Sequence, residues 1–211
     1  METASGLVEI AEPVTTLTDY ALGGVTAVLC FFILRKNQSV AARLWALAFA
    51  ALAVTAILGG TFHGFRIAWL WKPTVLAIGV ASFGMLAGSA YTATSGNVRR
   101  VLIAAALVKL AFYEAWMLGH DDFIYVVADT ASAMLAVAAL HLLALGNPAT
   151  RWILGGVAVS LLAAGIQAGR LALHEHFNHN DLYHVVQIVA MLLYYAGVKR
   201  LKDASGAAAT P

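Results

Sequence analysis

Acids and imidazoles are the residues of this sequence best suited to chemistry, and they are unevenly placed. His63, His120, His174, His176, His179 and His184 fall in the same alternate set of turns and helix ends as Glu2, Glu9, Glu12, Asp19, Glu114, Asp121, Asp122, Asp129, Glu175 and Asp181. His141 and Asp203 are the exceptions. Two or three imidazoles with a carboxylate, and one position left to water, form the ligand set of a catalytic zinc site. Such an ion acidifies its water toward neutrality and supplies hydroxide for attack on an ester or amide carbonyl. A neighbouring carboxylate then serves as general base, and an uncoordinated side chain orients a ligand ring from behind. His63 and His184 are the candidate ligands, with a third from His179 or Asp181. Asp129 and Asp19 are the candidate bases, and Asn180, Gln187, His120 and Asp122 are candidate supports.

Composition decides which solvent surrounds these groups. The 211 residues are 61% hydrophobic and 11% charged, with a mean hydropathy of +0.80, values that do not fit a water-soluble domain. A formal charge of +2, dispersed along the chain, excludes a nucleic-acid partner and leaves membrane lipid as the expected one. Cys30, the only cysteine, falls in an apolar run, which rules out a disulfide framework and a thiolate metal site. The opening Met1-Glu2-Thr3-Ala4, with acids at Glu9 and Glu12, lacks the basic start and early apolar run of a cleaved signal peptide. The first helix is therefore expected to direct insertion.

A bilayer core takes roughly 20 apolar residues per helix, and the punctuation places seven such runs: 14–34, 41–62, 74–94, 101–118, 123–145, 152–173 and 181–201. Charged or turn-forming clusters separate them, among them Arg35-Lys36-Asn37-Gln38, Lys72-Pro73, Ser95-Gly96-Asn97, His120-Asp121-Asp122 and Gly146-Asn147-Pro148. The expected fold is all-α, an integral membrane bundle of seven transmembrane helices forming one domain over residues 1–202. A small polar tail over 203–211 is expected to be disordered. Cytoplasmic loops retain Lys and Arg, and Arg35, Lys36, Arg43, Arg99, Arg100, Arg151, Lys199, Arg200 and Lys202 share one side against Arg66, Lys72 and Arg170 on the other. That asymmetry predicts the amino terminus outside, the carboxyl terminus in the cytoplasm, and the acids and imidazoles in the outer half. Nothing in the sequence fixes an oligomeric state.

Residues three, four and seven apart share a helix face. Helix 1 then aligns Glu12, Asp19 and Thr26; helix 4 aligns Lys109, Tyr113, Trp116 and His120; helix 5 aligns Asp122, Tyr125 and Asp129. Helix 6 aligns Ser160, Gln167 and His174, and helix 7 aligns Asn180, His184 and Gln187. Ionisable groups in hydrocarbon cost a few kcal/mol each, so they face a bundle interior or a water-filled cavity. Five stripes entering from one surface predict a polar cavity opening outward, with Asp129 and His184 on the order of 5–10 Å below the interface.

Plainer roles compete with the chemical ones. Histidines near an interface cap helices or bind headgroups, which suits His174, His176 and His179. Asp121-Asp122 suits the first turn of helix 5, whereas Asp129 lies too deep for a cap. Lys109 reads as the buried partner of an acid, and Trp45, Trp69, Trp71 and Trp152 as an interfacial belt. No lysine stands at mid-depth in helix 7, where a retinal Schiff base would need one.

With a histidine ending helix 2 in Gly59-Gly60-Thr61-Phe62-His63-Gly64 and another opening helix 7, the chain resembles the CREST superfamily of alkaline ceramidases and adiponectin/progestin receptors. That resemblance implies a zinc ion held by one histidine of helix 2 and two of an HxxxH motif in helix 7, with a serine and an aspartate nearby, in lipid amidases. Asn180 stands where the first histidine of that motif would be, Gly59 where the serine would be, and early helix 3 offers Thr74 and no aspartate. Glu12-Pro13, Thr18-Asp19-Tyr20, His120-Asp121-Asp122-Phe123 and Asn178-His179-Asn180-Asp181-Leu182-Tyr183-His184 look closer to an uncharacterised bacterial membrane family. That likeness implies the bacterial cytoplasmic membrane and no particular activity. The expectation is a zinc-dependent membrane hydrolase of lipid-like amides or esters. A non-enzymatic sensor or small-ligand-binding protein is the alternative. An ion pathway through Lys109, Glu114 and Asp129 ranks last, because the other halves of the helices are rich in Ala, Leu and Val.

Overall fold

The computed structural model of the chain describes residues 9–204. Glu2 and the rest of residues 1–8, and residues 205–211 of the expected tail, lie outside the described residues. Seven helices follow one another: α1 (Pro13–Lys36), α2 (Val40–Phe65), α3 (Trp71–Ala93, entered through a 3₁₀ turn at Ala68–Leu70), α4 (Gly96–Gly119), α5 (Phe123–Leu143), α6 (Thr150–Ala168) and α7 (His179–Val198). All seven are long and apolar enough to cross a membrane. The chain is all-α, as its periodicity predicts, with no strand among the described residues.

Local chemistry explains the helix ends. Pro13 starts α1, where its missing N–H costs nothing. The Ser39 hydroxyl accepts from the Ala42 amide at α2, and Asp122 accepts from the Ile124 amide at α5, each satisfying an otherwise orphaned donor. Asn178 and Asp181 close a reciprocal capping box at α7. Helix α6 ends at Ala168, short of the apolar run that continues to Leu173, because the chain turns at Gly169 and takes a left-handed φ of 50° at Arg170.

Packing runs α1 on α2, α2 on α3, α3 on both α4 and α5, and α6 on α7, which closes back on α1. Helix α5 meets α6 only lightly. Small residues set the closest approach: a Cβ at Gly60 would stand 2.8 Å from Asp19 Cβ, and one at Gly64 would stand 2.7 Å from Thr16 Oγ1. The close contact that Gly59-Gly60 and Gly64 suggest is therefore made by α1, and it lays Asp19 across α2. At the opposite, basic end of the bundle, Asp203 accepts from the Val40 and Ala41 amides, and Asn37 donates to the carbonyls of Val198 and Leu201. Ala204 donates its amide to the Tyr91 carbonyl and accepts from the Arg99 guanidinium, so the first two residues of the expected tail are tied to the bundle.

Candidate functional site

A cavity of about 310 Å³ lies between α1, α2, α3, α5, α6 and α7. Leu22, Leu52, Ile78, Val126, Met134 and Met191 give it an apolar body, and Asp19, His63, His184 and Thr74 a polar wall toward the acidic end. Three residues that line it are also exposed on the outside of the bundle: Phe123 at 38%, Val127 at 40% and Leu161 at 39%. All three belong to α5 and α6, the two helices that meet only lightly.

Asp19 and His184 are buried and paired, with Oδ1 3.1 Å from Nε2. The other ring nitrogen, Nδ1, lies 3.0 Å from the Thr18 hydroxyl. That hydroxyl also reaches the Thr15 carbonyl at 3.0 Å, which constrains the protons. If Thr18 donates to Thr15, Nδ1 must carry the proton it gives to Thr18, and a neutral imidazole then accepts at Nε2 from a protonated Asp19. If Thr18 donates to Nδ1, Nε2 donates to the Asp19 carboxylate. In both arrangements one proton lies between Asp19 and His184, a pair built for proton exchange.

His63 stands on the same cavity with a different partner. Its Nδ1 is 3.2 Å from Glu12, which also meets Arg66 at 3.7 Å. Among the described residues Nε2 of His63 has no hydrogen-bond partner. Each imidazole is therefore braced at Nδ1 by an oxygen, Glu12 behind His63 and Thr18 behind His184, the arrangement that orients metal-bound histidines. Glu12 and Thr18 stand in motifs visible in the sequence, but the sequence does not show that they brace rings on α2 and α7.

The remaining candidates divide. Asn180 and Gln187 line the cavity, with Asn180 accepting from Gln167. Asp181 does not: it is fully buried, and its two oxygens accept from the Thr15 hydroxyl and the Asn178 amide. His179 opens α7 outside the cavity lining. Asp122 is a helix cap, and His120 stacks on Trp116 with centroids 4.0 Å apart. Asp129 is turned away from the cavity onto Lys109, which also donates to the Asp129 carbonyl at 3.0 Å. No three His, Cys, Asp or Glu side chains among the described residues converge as a metal-ligand group. The stripes of α1, α6 and α7 meet in one cavity through Asp19, Thr26, Ser160, Gln167, Asn180, His184 and Gln187, whereas those of α4 and α5 contribute no member to it.

Residues 14–203 match the model of a family described as a family of unknown function (DUF6962). No curated protein and no solved structure matches the chain.

Proposed function

The chain belongs to that family of unknown function, whose description carries no activity, and we propose from the site itself a membrane-embedded hydrolase of lipid-like amides or esters. The observation that carries the proposal is the proton-sharing Asp19–His184 pair on the wall of an otherwise apolar cavity. An apolar body with a few convergent polar groups suits an amphipathic ligand. The lightly packed α5–α6 seam at Val127 and Leu161 supports entry of an acyl chain from the bilayer. The proposal sets the bundle in a cell membrane with the acidic end outside, on the charge asymmetry of the loops, so the ligand comes from the outer leaflet.

In this proposal Asp19 accepts the proton of the attacking water and itself returns it to the leaving group. A zinc ion is part of the proposal: His63 and His184 would hold it through Nε2, which on His184 would exchange its bond to Asp19 for the metal, while His179 and Asp181 lie outside the cavity lining. Zinc held there would supply an acidic water and polarise the carbonyl. The bracing of both imidazoles by Glu12 and Thr18 supports that donor set, and the resemblance to ceramidases supports the amide.

The test is elemental analysis of purified protein together with release of a fluorophore from a decanoyl amide. Stoichiometric zinc, lost together with turnover in His63→Ala and His184→Ala, is the expected result. Protein that turns over no acyl amide or ester, with or without added zinc, would overturn it. A second reading, a non-enzymatic binding protein or sensor, is favoured by one observation: no three donors converge, and both nitrogens of His184 are already engaged. Acyl-amide binding without turnover is its signature.

A further inference from the structure

The cavity has polar groups at its deep end that the chemistry of Asp19 and His184 leaves unused. Thr26 and Ser82 line it, both almost wholly buried, and neither hydroxyl has a hydrogen-bond partner among the described residues. Other helical threonines of this chain behave differently: Thr16, Thr61, Thr74, Thr92 and Thr94 each donate to the carbonyl four residues back. That backward bond is the usual refuge of a hydroxyl in an apolar helix. Thr26 and Ser82 forgo it, and a buried hydroxyl without a partner is costly.

Ser160 adds a third group. Its oxygen accepts from Gln187 Nε2 at 3.2 Å and from the Tyr194 hydroxyl at 3.2 Å. Both contacts use lone pairs, so the Ser160 proton has no acceptor among the described residues. Helices α1, α3 and α6 thus each bring one buried hydroxyl to the same cavity. Thr26 lies two turns beyond Asp19 on α1, about 10 Å deeper at 1.5 Å per residue. Ser82 lies as many turns beyond Thr74 on α3, and Ser160 bonds to Gln187, nearly one turn deeper than His184. The unpaired Ser89 hydroxyl and Trp45 indole lie outside the cavity lining and take no part.

We infer that Thr26, Ser82 and Ser160 form a second polar subsite, which takes a hydroxyl or carbonyl oxygen carried on the far part of the ligand's apolar body. The ligand is then amphipathic at both ends: an amide or ester at Asp19 and His184, and a hydrogen-bonding oxygen separated from it by an apolar spacer. This deepens the proposal that the cavity receives a lipid-like amide or ester, and it rests on that proposal for the near end. An unfunctionalised acyl chain would leave three hydroxyls unpaired, so selection works against it.

Calorimetric titration of the purified full chain with decanamide and with ω-hydroxydecanamide tests the subsite. The hydroxylated amide is expected to bind about tenfold more tightly, the scale of one buried hydrogen bond. That advantage disappears in Ser82→Ala and Thr26→Val, while decanamide binds them as it binds the parent. Both variants remove hydroxyls without protein partners, so their unfolding midpoints are expected to hold or rise, which separates lost recognition from lost fold. Equal affinity for the two amides, an advantage that survives both substitutions, or binding of neither amide would overturn the subsite. Binding is read without turnover, so a hydroxyl advantage in protein that cleaves nothing would sink the hydrolase and leave the subsite standing.

Discussion

Two buried acids of this chain, Asp19 and Asp129, lie at similar depths in their helices and meet opposite fates. Asp129 on α5 is gripped by the Lys109 ammonium, which also takes the Asp129 backbone carbonyl. Around it stand Tyr113, bonded to the Val75 carbonyl, and Glu114, whose carboxyl lies over Gly79 where a Cβ would be 2.6 Å away. That region packs α4 and α5 against α3 and opens onto no part of the cavity. Asp19 on α1 has no cation: it shares one proton with His184 and lines a space large enough for a ligand. A full opposite charge holds an acid in place, whereas a titratable partner leaves it able to exchange a proton. Burial alone, which the two acids share, does not separate structure from chemistry.

The contrast breaks most visibly at the ion pair. Asp129→Ala leaves Lys109 facing a buried site without its counter-charge and is expected to cost about 3 kcal/mol or more of stability, as for other broken buried pairs. Replacing both residues, as Lys109→Met with Asp129→Leu, recovers most of that loss, because no uncompensated charge remains. Denaturant unfolding in detergent micelles measures both. A double variant as unstable as the single one would mean that the pair does more than neutralise itself. Neither change is expected to alter hydrolysis per folded molecule.

Asp19→Asn is the converse. The amide keeps the shape and can still bond to His184, so the expected stability change is small. It cannot take up a proton, and kcat on a decanoyl amide is expected to fall at least about a hundredfold, the scale of lost general-base catalysis. An Asp19→Asn protein that turns over substrate normally would move Asp19 into the same structural class as Asp129.

The helices that carry these two acids were legible in the sequence, but the division between the acids was not. Seven apolar runs and their punctuation give the helices, because a membrane span is set by length and composition within each segment. The stripes of α1, α6 and α7 likewise identify cavity residues. Periodicity fixes which face of a helix is polar but not which neighbour that face meets, and for that reason Asp129 ranked beside Asp19. Lys109 reads in the sequence as the partner of an acid, but which acid is decided by α4 and α5 both packing on α3. Asp181 shows the same limit at short range: its place in a capping box depends on Asn178 adopting an extended backbone, and its second bond comes from Thr15 on another helix. Ser82 carried no signal, since a lone serine in an apolar run is common and only its missing backward bond marks it.

Smaller effects sharpen how the cavity side is held. Asn178→Ala removes the acceptor for the Asn180 and Asp181 amides and the donor to Thr15. It is expected to cost about 1 kcal/mol, the usual value of a helix cap, in the same micellar unfolding assay.

The two adjacent glycines of α2 give the finest comparison. At Gly60 an added Cβ would meet Asp19 Cβ at 2.8 Å and the Tyr20 ring at 3.0 Å. Gly60→Ala must therefore push α1 from α2 and is expected to cost about 1–3 kcal/mol, as overpacking does, and to move Asp19 off His184. At Gly59 the nearest atoms would be Asp19 Oδ2 at 3.7 Å and Thr74 Cγ2 at 3.8 Å, ordinary contact distances on the cavity wall. Gly59→Ala should hold or raise the unfolding midpoint, since alanine favours the helix by up to about 1 kcal/mol. Its methyl group enters the space beside Asp19, so decanamide affinity should weaken several-fold while Gly60→Ala loses fold and binding together. If Gly59→Ala left affinity untouched, the ligand would not reach Asp19, and the cavity's polar wall would be as structural as the Lys109 pair.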